Sequence, residues 1–297
     1  MRVNKNIFFL TGDLGFNALE PLQKEFPDRF INVGIAEANM VGIAAGLALT
    51  GKKVIVYSIA SFISMRPYEQ IRNDICYHNL DVKIIGTGGG FNYGNHGVTH
   101  HTMEDVAIMS ALPNMKVFSP AYAWETTECA KAILKDTGPC YMRIGKNPGV
   151  DYFQKNFKFK IGSTYSIKKG KEILLLSTGN ILDYAMEAAV IIKEKTGLNV
   201  CVHSVPTIKP IDKKGIMKLA KEFKFIATIE ENSMYGGLGS QIALALVENG
   251  ISTPFIPFTI PDIFIKAVGG RSHLLKQAEL DPISISKKII WKIKQKK

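Results

Sequence analysis

The stretch RFINVGIAEANMVGIAAGLALTGKKVIVYS, residues 29–58, decides the fold. It opens on a short β-rich run, RFINV (29–33), and closes on another, KVIVYS (53–58). Between them lies a helical run, about 36–50, in which positions 38–49 carry no charge. Runs of Val, Ile, Phe and Tyr that are nearly continuous in hydrophobicity suit strands buried on both faces. Strand, helix, strand in that order is the unit of a parallel sheet with right-handed crossovers.

The same alternation extends in both directions. IFFL (7–10), DVKIIG (81–86), KVFS (116–119) and CYMRI (140–144) read as further strands, with helices near 17–26, 65–79, 103–111 and 122–135. Residues 145–171 break the pattern with Gly, Pro and many lysines and read as a linker with a short hairpin. A second alternating unit follows: EILLLS, a helix near 181–195, NVCVHS, a helix near 212–222, FIATIE, a helix near 238–249, then PFIPFTI. Residues 282–295 read as a lysine-rich amphipathic helix. The expected fold is α/β, with two doubly wound domains over residues 1–150 and 165–297.

Composition narrows the function classes. The chain has 297 residues, 46% hydrophobic and 21% charged, as in soluble globular proteins. No apolar run reaches the ~20 residues of a membrane-spanning helix. Near the N-terminus the apolar core is only four residues, Ile7 to Leu10, too short for a secretory segment, so a cytoplasmic location is expected. Cys76, Cys129, Cys140 and Cys201 lack metal-ligand spacing and read as reduced, buried thiols. The net charge of +11 falls entirely in residues 155–297, which hold 23 basic and 12 acidic side chains. No interleaved aromatics accompany these lysines, so a solvated face is favoured over nucleic-acid binding.

In open parallel sheets ligands bind at the carboxyl ends of strands. That end carries TGDLG, GIAE, SIASF, GTGGGFNYGNHGVTHH and RIGKNPG. Glu37 is the one acid in a long apolar run. A helix without a polar face is a buried helix. An acid at its mouth therefore needs a partner or a role in proton transfer. The loop after the fourth strand holds five glycines from Gly88 to Gly97 and the histidines His96, His100 and His101. No acid or cysteine completes a zinc set nearby in sequence, so no metal is assigned.

The segments GIAEANMVGIAAGLAL, VYSIASFISMRPYEQIRNDI, GVTHHTMEDVAIMSALPNM and EENSMYGGLGSQIALAL resemble the C-terminal half of transketolases over essentially the whole chain. The resemblance implies a parallel-sheet thiamine pyrimidine-binding domain followed by a transketolase C-terminal domain. In the family, the glutamate matching Glu37 hydrogen-bonds a ring nitrogen of the thiamine diphosphate aminopyrimidine. That bond favours the imino tautomer, which takes the proton from the thiazolium carbon. Phe62 matches an aromatic that stacks on the ring, Arg66 an arginine of the synthase branch, and Ile35 an apolar residue that bends the cofactor. Tyr57 is placed in the same pocket, and Asp13 in a loop beside it. His100 matches a histidine that polarises or protonates substrate oxygen. His96 stands where transketolases carry an aspartate that holds a substrate hydroxyl, and His101 turns the usual Thr-His-Gln into THH. Arg143 matches an arginine that binds substrate phosphate.

Thiamine enzymes also carry a Gly-Asp-Gly segment with a downstream Asn that holds magnesium and the diphosphate. Neither is found here. The resemblance thus implies the small subunit of a split transketolase. Thiamine diphosphate would be shared with an N-terminal subunit that holds Mg2+, in a two-plus-two heterotetramer with helix 36–50 at the interface. The implied reaction moves a two-carbon ketol unit between phosphorylated or modified sugars. A 1-deoxyxylulose-5-phosphate-synthase-like or 2-oxoacid dehydrogenase beta-like subunit acting on pyruvate is the alternative within enzymes. A non-catalytic scaffold is the alternative outside them.

Overall fold

The computed structural model describes residues 1–146, 152 and 158–295. The first part runs β1 (Ile7–Thr11), α1 (Glu20–Glu25), β2 (Phe30–Asn32), α2 (Glu37–Leu49), β3 (Lys53–Ile59), α3 (Ala60–Met65), α4 (Tyr68–Gln70), β4 (Val82–Thr87), α5 (Asp105–Ala111), β5 (Lys116–Phe118), α6 (Ala123–Lys135) and β6 (Cys140–Ile144). The second part runs β7 (Tyr165–Lys168), β8 (Ile173–Ser177), α7 (Leu182–Thr196), β9 (Val200–Ser204), β10 (Thr207–Lys209), α8 (Lys213–Glu222), β11 (Phe225–Ser233), α9 (Leu238–Glu248), β12 (Phe255–Ile260), α10 (Arg271–Gln277) and α11 (Pro282–Lys294).

Two sheets result, ordered β10-β5-β6-β4-β3-β1-β2 and β12-β11-β8-β9-β7. The inner pairings are all parallel, as continuous runs such as VKIIGT, buried at every position of β4, require. Both sheets end on antiparallel edge strands, β10 against β5 and β7 against β9. β10 was not foreseen as a strand. It comes from the second half of the chain yet closes the first sheet, with Thr207 opposite Phe118. Lys209 fixes it there, its Nζ donating to Ser110 O at 2.9 Å and Leu112 O at 2.6 Å. The expected linker lies largely outside the described residues. Its described end forms β7, which pairs with β9 and not in a hairpin.

Helices cover both faces of the first sheet. α2, α3 and α5 bury Met40, Val41, Ile63 and Met109 on one face, in a core continuous with Leu174, Leu176 and Ile226 of the second sheet. α6 covers the other face with Cys129 and Ile133 against Phe118 and Met142. All four cysteines are buried and unpaired. The helix expected over 65–79 is instead broken. Pro67, which has no N–H, separates α3 from α4, and α4 passes into a π-helical turn over Ile71–Cys76.

α2 departs from the expectation of a fully buried helix. Glu37, Met40, Val41, Ala44 and Ala45 face inward. Ala38, Asn39, Gly42, Gly46 and Leu49 face outward, at the spacing of one helical side. The sequence shows no polar face there because this outer side is built of small and apolar residues. Among the described residues, no helix is long and apolar enough to cross a membrane.

Candidate active site

The parallel register brings the ends of β1, β2, β3, β4 and β6 to one edge of the first sheet. Glu37 opens α2 at that edge and is only 2% exposed. Its Oε1 accepts from Ser58 Oγ at 3.0 Å, and its Oε2 accepts from Arg66 Nη1 at 2.7 Å. A buried carboxylate is tolerated only with such partners, one on β3 and the other directly after α3. The TGDLG turn passes beside this pair, since a Cβ on Gly12 would be in ordinary contact with Glu37 Oε1 and Ser58 Oγ, at 3.7 and 3.8 Å. Asp13 follows at φ 56° and is exposed; it exchanges hydrogen bonds with Asn32, which ties the turn to the end of β2.

Arg66 is half-exposed and bridges two features. Its guanidinium donates to Glu37 and lies 4.0 Å from the centroid of the Phe62 ring. A planar N–H donor is therefore stacked on an aromatic face and hydrogen-bonded to a buried carboxylate. Phe62 in turn meets the His100 ring at 5.0 Å in an edge-on arrangement. His100 lies 4.9 Å from His96, and Tyr93 packs edge-on against both. Thr99 Oγ1 sits 3.0 Å from His100 Nδ1, and Ser61 Oγ reaches Thr99 O at 3.3 Å. One continuous set of contacts thus runs from Glu37 through Arg66 and Phe62 to His100 and His96.

Burial, with the neighbouring His96 and Arg66 side chains, lowers the pKa of His100. A neutral imidazole is then favoured near pH 7, suited to exchanging a proton with a hydroxyl. His101 points elsewhere. It is buried beside Phe91, 5.1 Å away and edge-on, and faces a cavity of about 170 Å³ bounded by Ile260 and Phe264. Tyr57 is partly buried against Phe9, and burial raises its pKa. Ile35 is 74% exposed at the same edge.

Arg143 does not share the open edge in this structure. Its Nη1 donates to Asp105 Oδ1 at 3.2 Å, and its Nη2 donates to Thr102 O at 3.3 Å and Glu231 O at 2.7 Å. Tyr141 completes the cluster by donating to Asp105 Oδ2 at 2.6 Å. The expected phosphate ligand is thus turned into the junction between the sheets, because a buried guanidinium takes the nearest acceptors. Reading the sequence did not single out Ser58, Asn32, Tyr93 or Glu231. Ser58 and Asn32 are ordinary strand-end residues, and only the register shows what they touch. Among the described residues no group of three or more His, Cys, Asp or Glu is arranged to hold a metal ion.

Comparison with known proteins decides the family. Residues 1–148 match the transketolase pyrimidine-binding domain, and residues 162–285 match the transketolase C-terminal domain. A transketolase C-terminal section from Methanocaldococcus jannaschii is 37% identical over 98% of this chain and 92% of its own length. The chain belongs to the transketolase family. One subunit of an apulose-4-phosphate transketolase from Phocaeicola vulgatus is 36% identical, covering 92% of this chain and 86% of that one. A solved split gene transketolase, described as an inactive beta4 tetramer, superposes with a TM-score of 0.86 at 33% identity, over 96% and 91% of the two chains. This transketolase is accordingly of the split, C-terminal type and a transferase. Membership of the family implies dependence on thiamine diphosphate.

Proposed function

We propose that this chain supplies the aminopyrimidine half of a thiamine diphosphate site, completed across an interface by an N-terminal transketolase subunit. The observation that carries the proposal is the Glu37–Arg66–Phe62 arrangement. Arg66 presents a planar set of N–H donors to a buried carboxylate while stacked on an aromatic ring. An aminopyrimidine is equally flat, and in its ring-protonated or imino form it offers a ring N–H to such a carboxylate. Because Arg66 is half-exposed, it can swing outward and yield that place. The residues present therefore fit the ring.

When bound, the cofactor supplies an electron sink for breaking and making carbon–carbon bonds. The chain's own residues do the rest. Glu37 offers the acceptor in a dry pocket, where a charge-assisted hydrogen bond is strong. Phe62 fixes the plane of the ring, and Ile35 stands at the mouth. Asp13 and Tyr57 border the pocket from β1 and β3. His100 exchanges a proton with substrate oxygen, and His96 offers it a ring nitrogen where other transketolases offer a carboxylate. The substrates are sugars carrying phosphate or another modification, between which a two-carbon ketol unit is moved.

The partner holds the diphosphate and Mg2+. Its contact is the outer side of α2, where Gly42 and Gly46 allow close approach and Leu49 is 67% exposed. Two copies of each chain assemble as a heterotetramer, and this chain alone turns over no sugar. Four buried, unpaired thiols suit a reducing, cytoplasmic location. The test is reconstitution. Mixed with a diphosphate-binding subunit, thiamine diphosphate and Mg2+, the chain should transfer ketol units from a donor sugar to an aldehyde. Carbon dioxide release from pyruvate in place of ketol transfer would overturn the proposal.

A further inference from the structure

The second sheet contributes no residue to the contact series from Glu37 to His96, yet it grips the loop that carries the histidines. That loop is pinched at its base, where Gly90 N donates to Thr102 O at 2.9 Å and Thr102 N donates to Gly90 O at 3.1 Å. Just inside the pinch, Phe91 N donates to Glu231 Oε2 at 3.0 Å. Glu231 ends up 5% exposed, near the end of β11. Its other oxygen takes Arg271 Nε at 2.8 Å and also meets Arg271 Nη2. Its carbonyl takes Arg143 Nη2 at 2.7 Å. The loop is held twice more, by Ser233 N on Met103 O at 2.8 Å and by Gly269 N on Gly94 O at 3.4 Å.

The glycines around this point are there for close approach. A Cβ on Gly90 would overlap the Glu231 carboxylate, and one on Gly89 would overlap Arg143. Phe91, whose amide Glu231 holds, sets its ring edge-on to His101, the neighbour of His100. Phe91 thus leads into the histidine segment along the chain and touches it again at His101.

We propose that Glu231, oriented by Arg271, is a positioning residue that fixes His100 through the backbone of Phe91. The C-terminal domain would thereby tune a site to which it lends no reacting group. The geometry stands by itself; the consequence for turnover rests on the ketol-transfer function proposed above.

Glu231→Ala, Glu231→Gln and Arg271→Gln test the idea by two readouts. The first is amide exchange of peptides spanning 88–102, against peptides of β8 and β9 as a control. In Glu231→Ala, exchange over 88–102 should rise at least about tenfold while β8 and β9 stay protected. The second readout is kinetics in the complex with the diphosphate-binding subunit. Turnover should fall about 10- to 100-fold, as small displacements of a catalytic group do, with thiamine diphosphate affinity unchanged. Glu231→Gln keeps an oxygen for Phe91 N–H and should recover most of the loss. If the alanine variant does not fold, Arg271→Gln should loosen the same loop to a smaller degree. Unchanged exchange at 88–102, exchange raised equally in both sheets, or a glutamine variant as poor as alanine would each overturn the inference. Absence of ketol transfer in the unaltered complex would count against the proposed function, and the exchange data would still judge the clamp.

Discussion

Replacing Glu37 with Gln separates chemistry from folding. The side chain is buried, and its two oxygens face Ser58 Oγ and Arg66 Nη1 at 3.0 and 2.7 Å. Glutamine has the same shape. It keeps an acceptor for Arg66 Nη1 and can turn its NH2 to the Ser58 hydroxyl, which then accepts, but it loses the charge of the bond to Arg66, costing about 1.5–3 kcal/mol. Against this, a carboxylate no longer has to be buried, and that relief is of similar size. The net change in stability should stay within about 1 kcal/mol, or roughly 4 °C in Tm for a domain of this size. If Glu37 supports proton movement on the aminopyrimidine, the loss of rate is that of a general acid–base group, about 10²- to 10⁴-fold. That corresponds to about 3–5.5 kcal/mol of barrier. Ketol transfer by the reconstituted pair gives the rate, and thermal unfolding of the isolated variant gives the stability. A loss of rate below about fivefold would refute the role of Glu37. A fall in Tm beyond about 8 °C would show that the residue is structural first.

Three further outcomes are expected. Burial and the neighbouring His96 and Arg66 side chains lower the pKa of His100, so His96→Asp, which sets a carboxylate beside it, should move the acid limb of kcat/KM toward higher pH; a limb that stays put would exclude His100 as the titrating group. Glu125 is fully buried, accepting from Ser204 Oγ at 2.7 Å and Ala121 N at 2.5 Å, and burial pushes its pKa up to about 7. Its folded pKa lies above the unfolded 4.5, so its contribution is whole below about pH 4.5 and is lost as pH rises through 7; Glu125→Gln should thus gain about 2–3 kcal/mol over the unaltered chain at pH 8 and almost nothing at pH 4.5, measured by denaturant unfolding. A Cβ at Gly46 would meet nothing within 4 Å, so Gly46→Leu should stabilise the isolated chain by up to about 1 kcal/mol yet weaken binding to the diphosphate-binding subunit at least tenfold, read by sedimentation.

The fold was legible where hydrophobic period and length agreed. VKIIGT and ILLLS announce buried strands by continuity alone, and both are buried at every position. β10 was not legible, since TIK is three residues long and its pairing with β5 is a tertiary event. The π-helical turn over Ile71–Cys76 was hidden for a related reason. Its residues carry an ordinary helical pattern, and the wider turn follows from packing after the break at Pro67. The site was legible as chemistry but not as pairing. A lone acid and three histidines at strand ends stand out in the sequence. His100 turns toward Phe62 while its neighbour His101 turns toward Phe91, in a loop closed by the pinch at Gly90 and Thr102, and no spacing rule contains that closure.

α2 shows why the two kinds of reading can differ without either misreading the residues. A helix with no charge after its first residue should be covered on all sides. Within one chain it is covered on one side only, and the exposed side is Ala38, Asn39, Gly42, Gly46 and Leu49. Glycine costs a helix interior about 1 kcal/mol relative to alanine, so two of them on an open face bring no local benefit. They are useful only if another backbone comes close. The same helix carries Glu37 inward at its first turn, so whatever packs on its outer side also sets the angle at which that carboxylate is presented. On the function proposed above, cofactor activation and subunit assembly would be two demands on the same thirteen residues, and one apolar run would serve both the fold and the chemistry.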